Sequence, residues 1–166
     1  MQGISDQLCR HYLSQAYRIA WISSDDPHTQ TGAVLVVNGS EVRAANHVPY
    51  PGPYDPSIFE RPQKYKHIEH AERHVIYKAA KLGVQTIGGA LYAPWACCCE
   101  CARAIIASGI KCVIVHSECM ALTPERWQED IKLAKEMLYK SGIVYHLWSG
   151  KLGNLRIVFN EQDFEP

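Results

Sequence analysis

No apolar run in this chain approaches the roughly 18 residues that a membrane-spanning helix needs, so no membrane partner is expected. The residues after Met1 carry no charged-then-apolar leader pattern, which makes a cytoplasmic protein the expectation. Neither sign of charge prevails, with 17 Lys+Arg against 17 Asp+Glu. That balance argues against a broad footprint on a phosphate backbone, and no nucleic-acid partner is expected. No internal repeat, low-complexity run or interdomain linker divides the sequence, so 1–166 reads as one domain with a sizeable core. What the chain has in quantity is cysteine, seven residues in all. Without an export leader, a reducing compartment follows, and clustered cysteines then point to metal rather than to disulfides.

Four of the seven lie in Pro94-Trp95-Ala96-Cys97-Cys98-Cys99-Glu100-Cys101. An apolar run, Gly89 to Ala93, leads in as a strand, and Ala102-Arg103-Ala104-Ile105-Ile106 continues as a helix. Cys98 and Cys101 are three apart and share one face of the first helical turn. The positive end of the helix dipole favours thiolates there. Cys99 is rotated about 100° from Cys98, and Cys97 with Cys101 would miss the one-turn geometry. Cys97 and Cys99 are therefore not expected to bind metal. Cys9, Cys112 and Cys119 stand alone and read as small core residues.

A third ligand and an acid/base group appear upstream in His70-Ala71-Glu72. Helix residues two apart point about 200° from each other, so both can face one centre only where the chain enters the helix. Ala71, Val75, Ala79 and Leu82 form an apolar stripe running on from that point. His70, Cys98 and Cys101 would leave a fourth tetrahedral position for water, as in a catalytic zinc site. Zinc brings the pKa of bound water to about 7, and Glu72 can stand beside it as the proton carrier. Alone, the cysteine pair also suits a redox couple or half of a structural zinc site.

Elsewhere, Ser5 is placed to cap a first helix with Leu8, Tyr12, Ala16 and Ile19 on its buried face. Ala33–Val37 and Glu41–Ala45 read as strands around the hairpin signal Asn38-Gly39. Residues 47–66 hold five of the nine prolines, which predicts a long loop or lid, with Arg61, Lys64 and Lys66 giving it a basic end. Cys112–His116 is a strand covered on both faces, and Thr123-Pro124 opens a helix buried through Trp127, Ile131, Ala134 and Leu138. Ile143–Trp148 is another strand. Leu155–Phe159 is one more, or a tail packed on a neighbouring subunit. His67 and Glu69, next to the triplet, read as supports of its ligands, as ligands of a second metal, or, the favoured reading, as chance neighbours. Strands alternating with helices imply an α/β fold, a three-layer α/β/α sandwich on a mixed sheet of about five strands.

Asp26-Pro27-His28-Thr29-Gln30-Thr31-Gly32-Ala33, Asn46, His70-Ala71-Glu72 and Cys98-Cys99-Glu100-Cys101-Ala102 through Ser108-Gly109-Ile110 occur in one order. In that order the chain resembles the cytidine deaminase-like superfamily, most of all its deoxycytidylate (dCMP) deaminases, with the His-x-Glu and Cys-x-x-Cys signature of zinc nucleobase deaminases. The resemblance implies hydrolytic deamination of dCMP to dUMP and ammonia on one Zn2+ per subunit. It implies Glu72 as the catalytic acid/base, and Asn46, Thr31, Ala33, Ala71 (through its backbone) and Trp95 as substrate contacts. Thr29, Gln30, Arg61, Lys64 and Lys66 become candidates for phosphate or effector contact. The resemblance also implies dCTP and dTTP as effectors, with Mg2+ accompanying a triphosphate, and a homohexamer. Two positions depart from the family pattern: Cys97 stands for a proline, and Arg73 for an asparagine. Arg73 is read as a phosphate fork or as a surface residue. The other readings are a deaminase of dCTP, cytidine or tRNA adenosine, and a non-catalytic zinc-stabilised interaction module.

Overall fold

The structure is a computed structural model that describes residues 4–166. In chain order it runs α1 (Asp6–Ser23), β1 (Gly32–Val37), β2 (Ser40–Ala45), a 3-10 turn (Pro56–Phe59), α2 (Lys64–His67), α3 (Ala71–Leu82) and β3 (Ala90–Ala93). It continues with α4 (Cys99–Ala107), β4 (Cys112–His116), α5 (Ser117–Met120), α6 (Glu125–Lys140), β5 (Val144–Trp148), β6 (Ile157–Phe159) and β7 (Gln162–Phe164). The central sheet has the order β2-β1-β3-β4-β5. β1 is antiparallel to both its neighbours, and β3, β4 and β5 run parallel, so the five-stranded sheet is mixed. At the β1–β2 turn Asn38 and Gly39 take φ values of 49° and 78°, the left-handed pair that a two-residue hairpin needs.

Alternation along the strands divides the core between two faces. Leu35, Leu91 and Val113 pack with Val75 and Ala79 of α3, Ile105 of α4 and Leu138 of α6. Val34, Tyr92 and Ile114 pack on the other side with Cys9, Leu13 and Ala16 of α1. The result is a three-layer α/β/α sandwich. α1 comes unusually close to β1: a Cβ on Gly32 would lie 2.1 Å from the Ala16 carbonyl oxygen, so only glycine fits there.

Several sequence expectations are corrected. The buried face of α1 is Cys9, Leu13, Ala16, Tyr17 and Ala20, and Leu8 is exposed. The stripe is rotated because small residues must meet β1, and because Tyr17 reaches across to His116. Ser5 and Thr123 make no capping bond to α1 or α6. Thr123 instead donates to the Met120 carbonyl and accepts the Trp95 indole N–H. Leu82 is exposed, and Ile76 takes its place in the core. The proline-rich segment is not structureless: Asp55 caps its 3-10 turn and α2 follows. The C-terminal strand pairs with β7 of its own chain, and Ile157 and Phe159 pack beside Tyr17 and Ala20 of α1.

Candidate metal centre and substrate pocket

The N-termini of α3 and α4 meet below the pocket. His70 is the N-cap residue of α3 and Cys98 that of α4, both in extended backbone, and Cys101 lies in the first turn of α4. Extended backbone at His70 is what lets His70 and Glu72 face one centre. The His70 Nδ1 lies 3.5 Å from the Cys98 Sγ and 3.6 Å from the Cys101 Sγ, and the two sulfurs are 3.5 Å apart. A tetrahedral zinc with its usual bond lengths sets N···S near about 3.6 Å and S···S near about 3.8 Å. The three donors therefore fit Zn2+, and among the described residues they are the one such group of His, Cys and acidic side chains.

The electrostatics suit thiolate ligation. The Cys98 thiol is drawn well below its ordinary value by the hydrogen bond from Cys101, and by His70, against its burial. Cys101, which donates that bond and is buried, is held well above its ordinary value. Burial would lower His70, but the hydrogen bond and charge of Cys98 carry it upward. Glu72 is 8% exposed, and burial raises its carboxyl above the usual range, in spite of the attraction of His70. The flanking thiols are held neutral: burial pushes Cys97 up, and burial with the Asp130 carboxylate pushes Cys99 to about 11.

Arg73 corrects the sequence reading. Its guanidinium does not line the pocket. Nη1 donates to Glu100 at 2.7 Å and lies 3.8 Å from the Cys101 Sγ, and Nε pairs with Glu69. Glu69 in turn accepts the His70 backbone N–H at 3.1 Å. Arg73 and Glu69 thus pair with each other beside the ligand residues, and the Arg73 guanidinium is engaged by two carboxylates. His67 accepts or donates at the Tyr50 hydroxyl, 2.6 Å away, and stays outside the donor group.

The pocket has His70, Glu72 and Cys98 on its floor. Trp95, Trp127, Phe159 and Tyr65 form aromatic walls, with Trp127 5.9 Å from Trp95 and 6.3 Å from His70 between ring centres. Of the residues expected at the substrate, Asn46, Thr31, Thr29, Arg61, Lys64 and Trp95 line it. Asn46 is largely engaged by its own loop: Oδ1 accepts from the Ser24 hydroxyl and the Thr31 N–H, and Nδ2 donates to the Thr29 carbonyl. Lys64 is buried against Asp26 rather than forming a free basic end.

Ala33, Ala71, Gln30 and Lys66 do not line the pocket. Ala33 and Ala71 are buried in the core beneath it. Gln30 ties the C-terminal hairpin down, donating its N–H to the Val158 carbonyl and accepting the Val158 N–H at its side chain. Lys66 is turned to solvent.

The lining also holds residues that sequence reasoning did not assign to a site. Arg126, Trp127, Phe159 and Asn160 come from the start of α6 and the β6–β7 turn. Arg126 and Arg61 both donate to the Asn160 side-chain oxygen, at 2.7 and 3.3 Å. Only the aromatic at the first turn of α6 was visible in advance, and helical periodicity assigned it to the core.

No curated protein matches the chain in sequence. Solved structures do match in fold. The dCMP deaminase of cyanophage S-TIM5 is 19% identical, with TM-score 0.66 in its apo form over 87% of this chain and 100% of that one. Its complex with dCMP and dUMP gives TM-score 0.69 at the same identity, over 88% and 100%. A diaminohydroxyphosphoribosylaminopyrimidine deaminase/5-amino-6-(5-phosphoribosylamino)uracil reductase from Thermotoga maritima is 23% identical, with TM-score 0.59 over 86% of this chain and 36% of that one. The sequence model of the cytidine and deoxycytidylate deaminase zinc-binding region matches residues 7–117, a span that runs from α1 through the ligand residues to β4, and the chain belongs to that family.

Proposed function

We propose that this protein deaminates dCMP hydrolytically to dUMP and ammonia. The observation that carries the reading is the polarity of one pocket. Its lining combines two of the three metal-ligand residues, His70 and Cys98, with the buried Glu72 carboxyl, four aromatic side chains and the exposed Arg61 and Arg126. A flat base fits between the walls, with its amine toward the floor and a 5′-phosphate toward Arg61 and Arg126. The dCMP and dUMP bound to the cyanophage relative are consistent with such a ligand.

Zinc, when bound, polarises the attacking water. Glu72 would accept a proton from that water and pass it to ring N3 as C4 is attacked, then take the remaining proton from the new C4 hydroxyl and deliver it to the departing amine. Burial raises the Glu72 carboxyl above its ordinary value, the direction that favours proton uptake. Trp127 and Trp95 exclude bulk water and restrict the base to the plane in which its C4 meets the floor.

Turnover of a panel containing dCMP, dCTP, CMP, deoxycytidine, guanine and a tRNA anticodon stem tests the substrate. Fastest turnover of dCMP supports the reading, and faster turnover of any other member replaces it. Glu72→Gln tests catalysis itself: kcat falls by about 10²- to 10⁴-fold with zinc retained. Unchanged kcat would remove the role assigned to Glu72. A dCTP or dTTP effector with Mg2+ and a homohexameric assembly complete the proposal, and light scattering with and without dCTP tests both.

A further inference from the structure

The cysteine cluster poses a problem of choice. Cys97, Cys98, Cys99 and Cys101 put four sulfurs within five residues. Zinc accepts any of them, and a third thiolate in the fourth position would close the coordination that catalysis needs open. An ideal helix rotates Cys99 about 100° from Cys98, but at a first turn that geometry needs partners from outside the helix, and Cys99 is next to one ligand and two residues from the other.

One residue of α6 does this at both ends of Cys99. The Asp130 Oδ2 accepts the Cys99 backbone N–H at 2.9 Å. The Asp130 carbonyl oxygen accepts the Cys99 S–H at 3.3 Å. The first bond satisfies an amide that the start of α4 leaves without a partner, and so fixes the first turn. The second holds the sulfur toward α6, outside the group formed by His70, Cys98 and Cys101. Asp130 lies one turn beyond Trp127 and Arg126, so the helix that shapes the pocket also sets the metal turn.

We propose that the Asp130 carboxylate selects the ligand register of the cluster: by fixing the Cys99 amide it sets the turn that presents the thiol to the Asp130 carbonyl, keeps the third sulfur off the metal and leaves the fourth coordination position open. Asp130 is a positioning residue, since it acts through Cys99. The inference rests on the metal site assigned above.

The test uses the full chain loaded with Co2+ in place of zinc, whose thiolate-to-cobalt absorption reports the number of bound sulfurs. Wild type shows two. Asp130→Ala shows a third sulfur, and kcat of the zinc form falls by about 10- to 100-fold. Adding Cys99→Ser to Asp130→Ala restores two sulfurs and most of the activity, a rescue that a merely structural role for Asp130 would not give. If Asp130→Ala loses its fold, Asp130→Ser carries the same readouts. Two sulfurs in the Asp130 variant, or no rescue by Cys99→Ser, overturns the proposal. Three sulfurs in wild type, or no cobalt bound, instead overturns the metal-site assignment.

Discussion

The Lys64 ammonium lies 2.6 Å from the Asp26 carboxylate, with the two side chains only 9% and 3% exposed. The pair fastens the proline-rich segment to the loop before β1. Asp26 also accepts the backbone N–H groups of His28 and Thr29 through its other oxygen. Removing either partner leaves a buried charge unpaired, but the two losses differ. Asp26→Ala strands the Lys64 ammonium and two amides, and should lower the unfolding free energy by about 3 kcal/mol or more. Lys64→Met leaves Asp26 with its amide donors, and should lose less. Urea titration of both variants measures this, and equal losses would remove the assigned role of the amides.

The ligand register makes a direct prediction. Cys98→Ser and Cys101→Ser should each lose zinc and turnover, because each removes one of three donors that lie 3.5–3.6 Å apart. Cys97→Ala should keep both, since burial holds Cys97 as a neutral thiol outside that triangle. Zinc content by atomic emission after gel filtration checks all three. Metal retained by Cys98→Ser and lost by Cys97→Ala would shift the register by one residue.

Arg126 bears on substrate choice. Its guanidinium is positioned at the mouth by Asn160 and lines the pocket from the first turn of α6. A charge-assisted hydrogen bond is worth about 1.5–3 kcal/mol, so Arg126→Ala should raise KM for dCMP by about 10- to 100-fold. Deoxycytidine has no phosphate, and its kcat/KM should stay unchanged. Equal losses for nucleotide and nucleoside would place Arg126 in the architecture of the pocket rather than at the phosphate.

The pH dependence of stability is predicted from His116, which is fully buried. The Tyr17 hydroxyl donates to its Nδ1 at 2.8 Å, so Nε2 carries the proton toward the Gly150 carbonyl at 2.9 Å. Burial lowers its pKa, against the Gly150 carbonyl and the Glu118 charge. The unfolded imidazole takes up a proton near about pH 6.5, and the folded one only below that. Between those values the unfolded state binds more protons, so stability falls as pH drops through about 6.5. Urea unfolding at about pH 7.5 and about pH 5.5 should show the loss, and His116→Gln should shrink it. An undiminished loss in the variant would assign it to other groups.

The two metal motifs were legible because their geometry is local. His70 and Glu72 converge only at a helix entry, Cys98 and Cys101 only across one turn, and the structure has a helix start at each. The Asn38-Gly39 turn was legible for the same reason, since two left-handed residues fix a hairpin without help from the rest of the chain. The stripe on α1 was misread by one residue because helical periodicity admits neighbouring faces. The choice between them was made by the close approach of Gly32 to Ala16, far along the chain.

The sequence by itself determined the order of strands and helices, and brought out three donors that could hold a metal and a buried carboxyl two residues from one of them. Backbone periodicity and ligand spacing are properties of a few consecutive residues. The tertiary structure alone decided that Arg61 and Arg126 meet at Asn160, that Trp127 stands over His70, that Arg73 turns from the pocket to the ligands, and that Asp130 holds Cys99. Those partners come from the proline-rich segment, α6 and the C-terminal hairpin. Their meeting depends on sheet order and on which helix faces which strand, which no local spacing encodes.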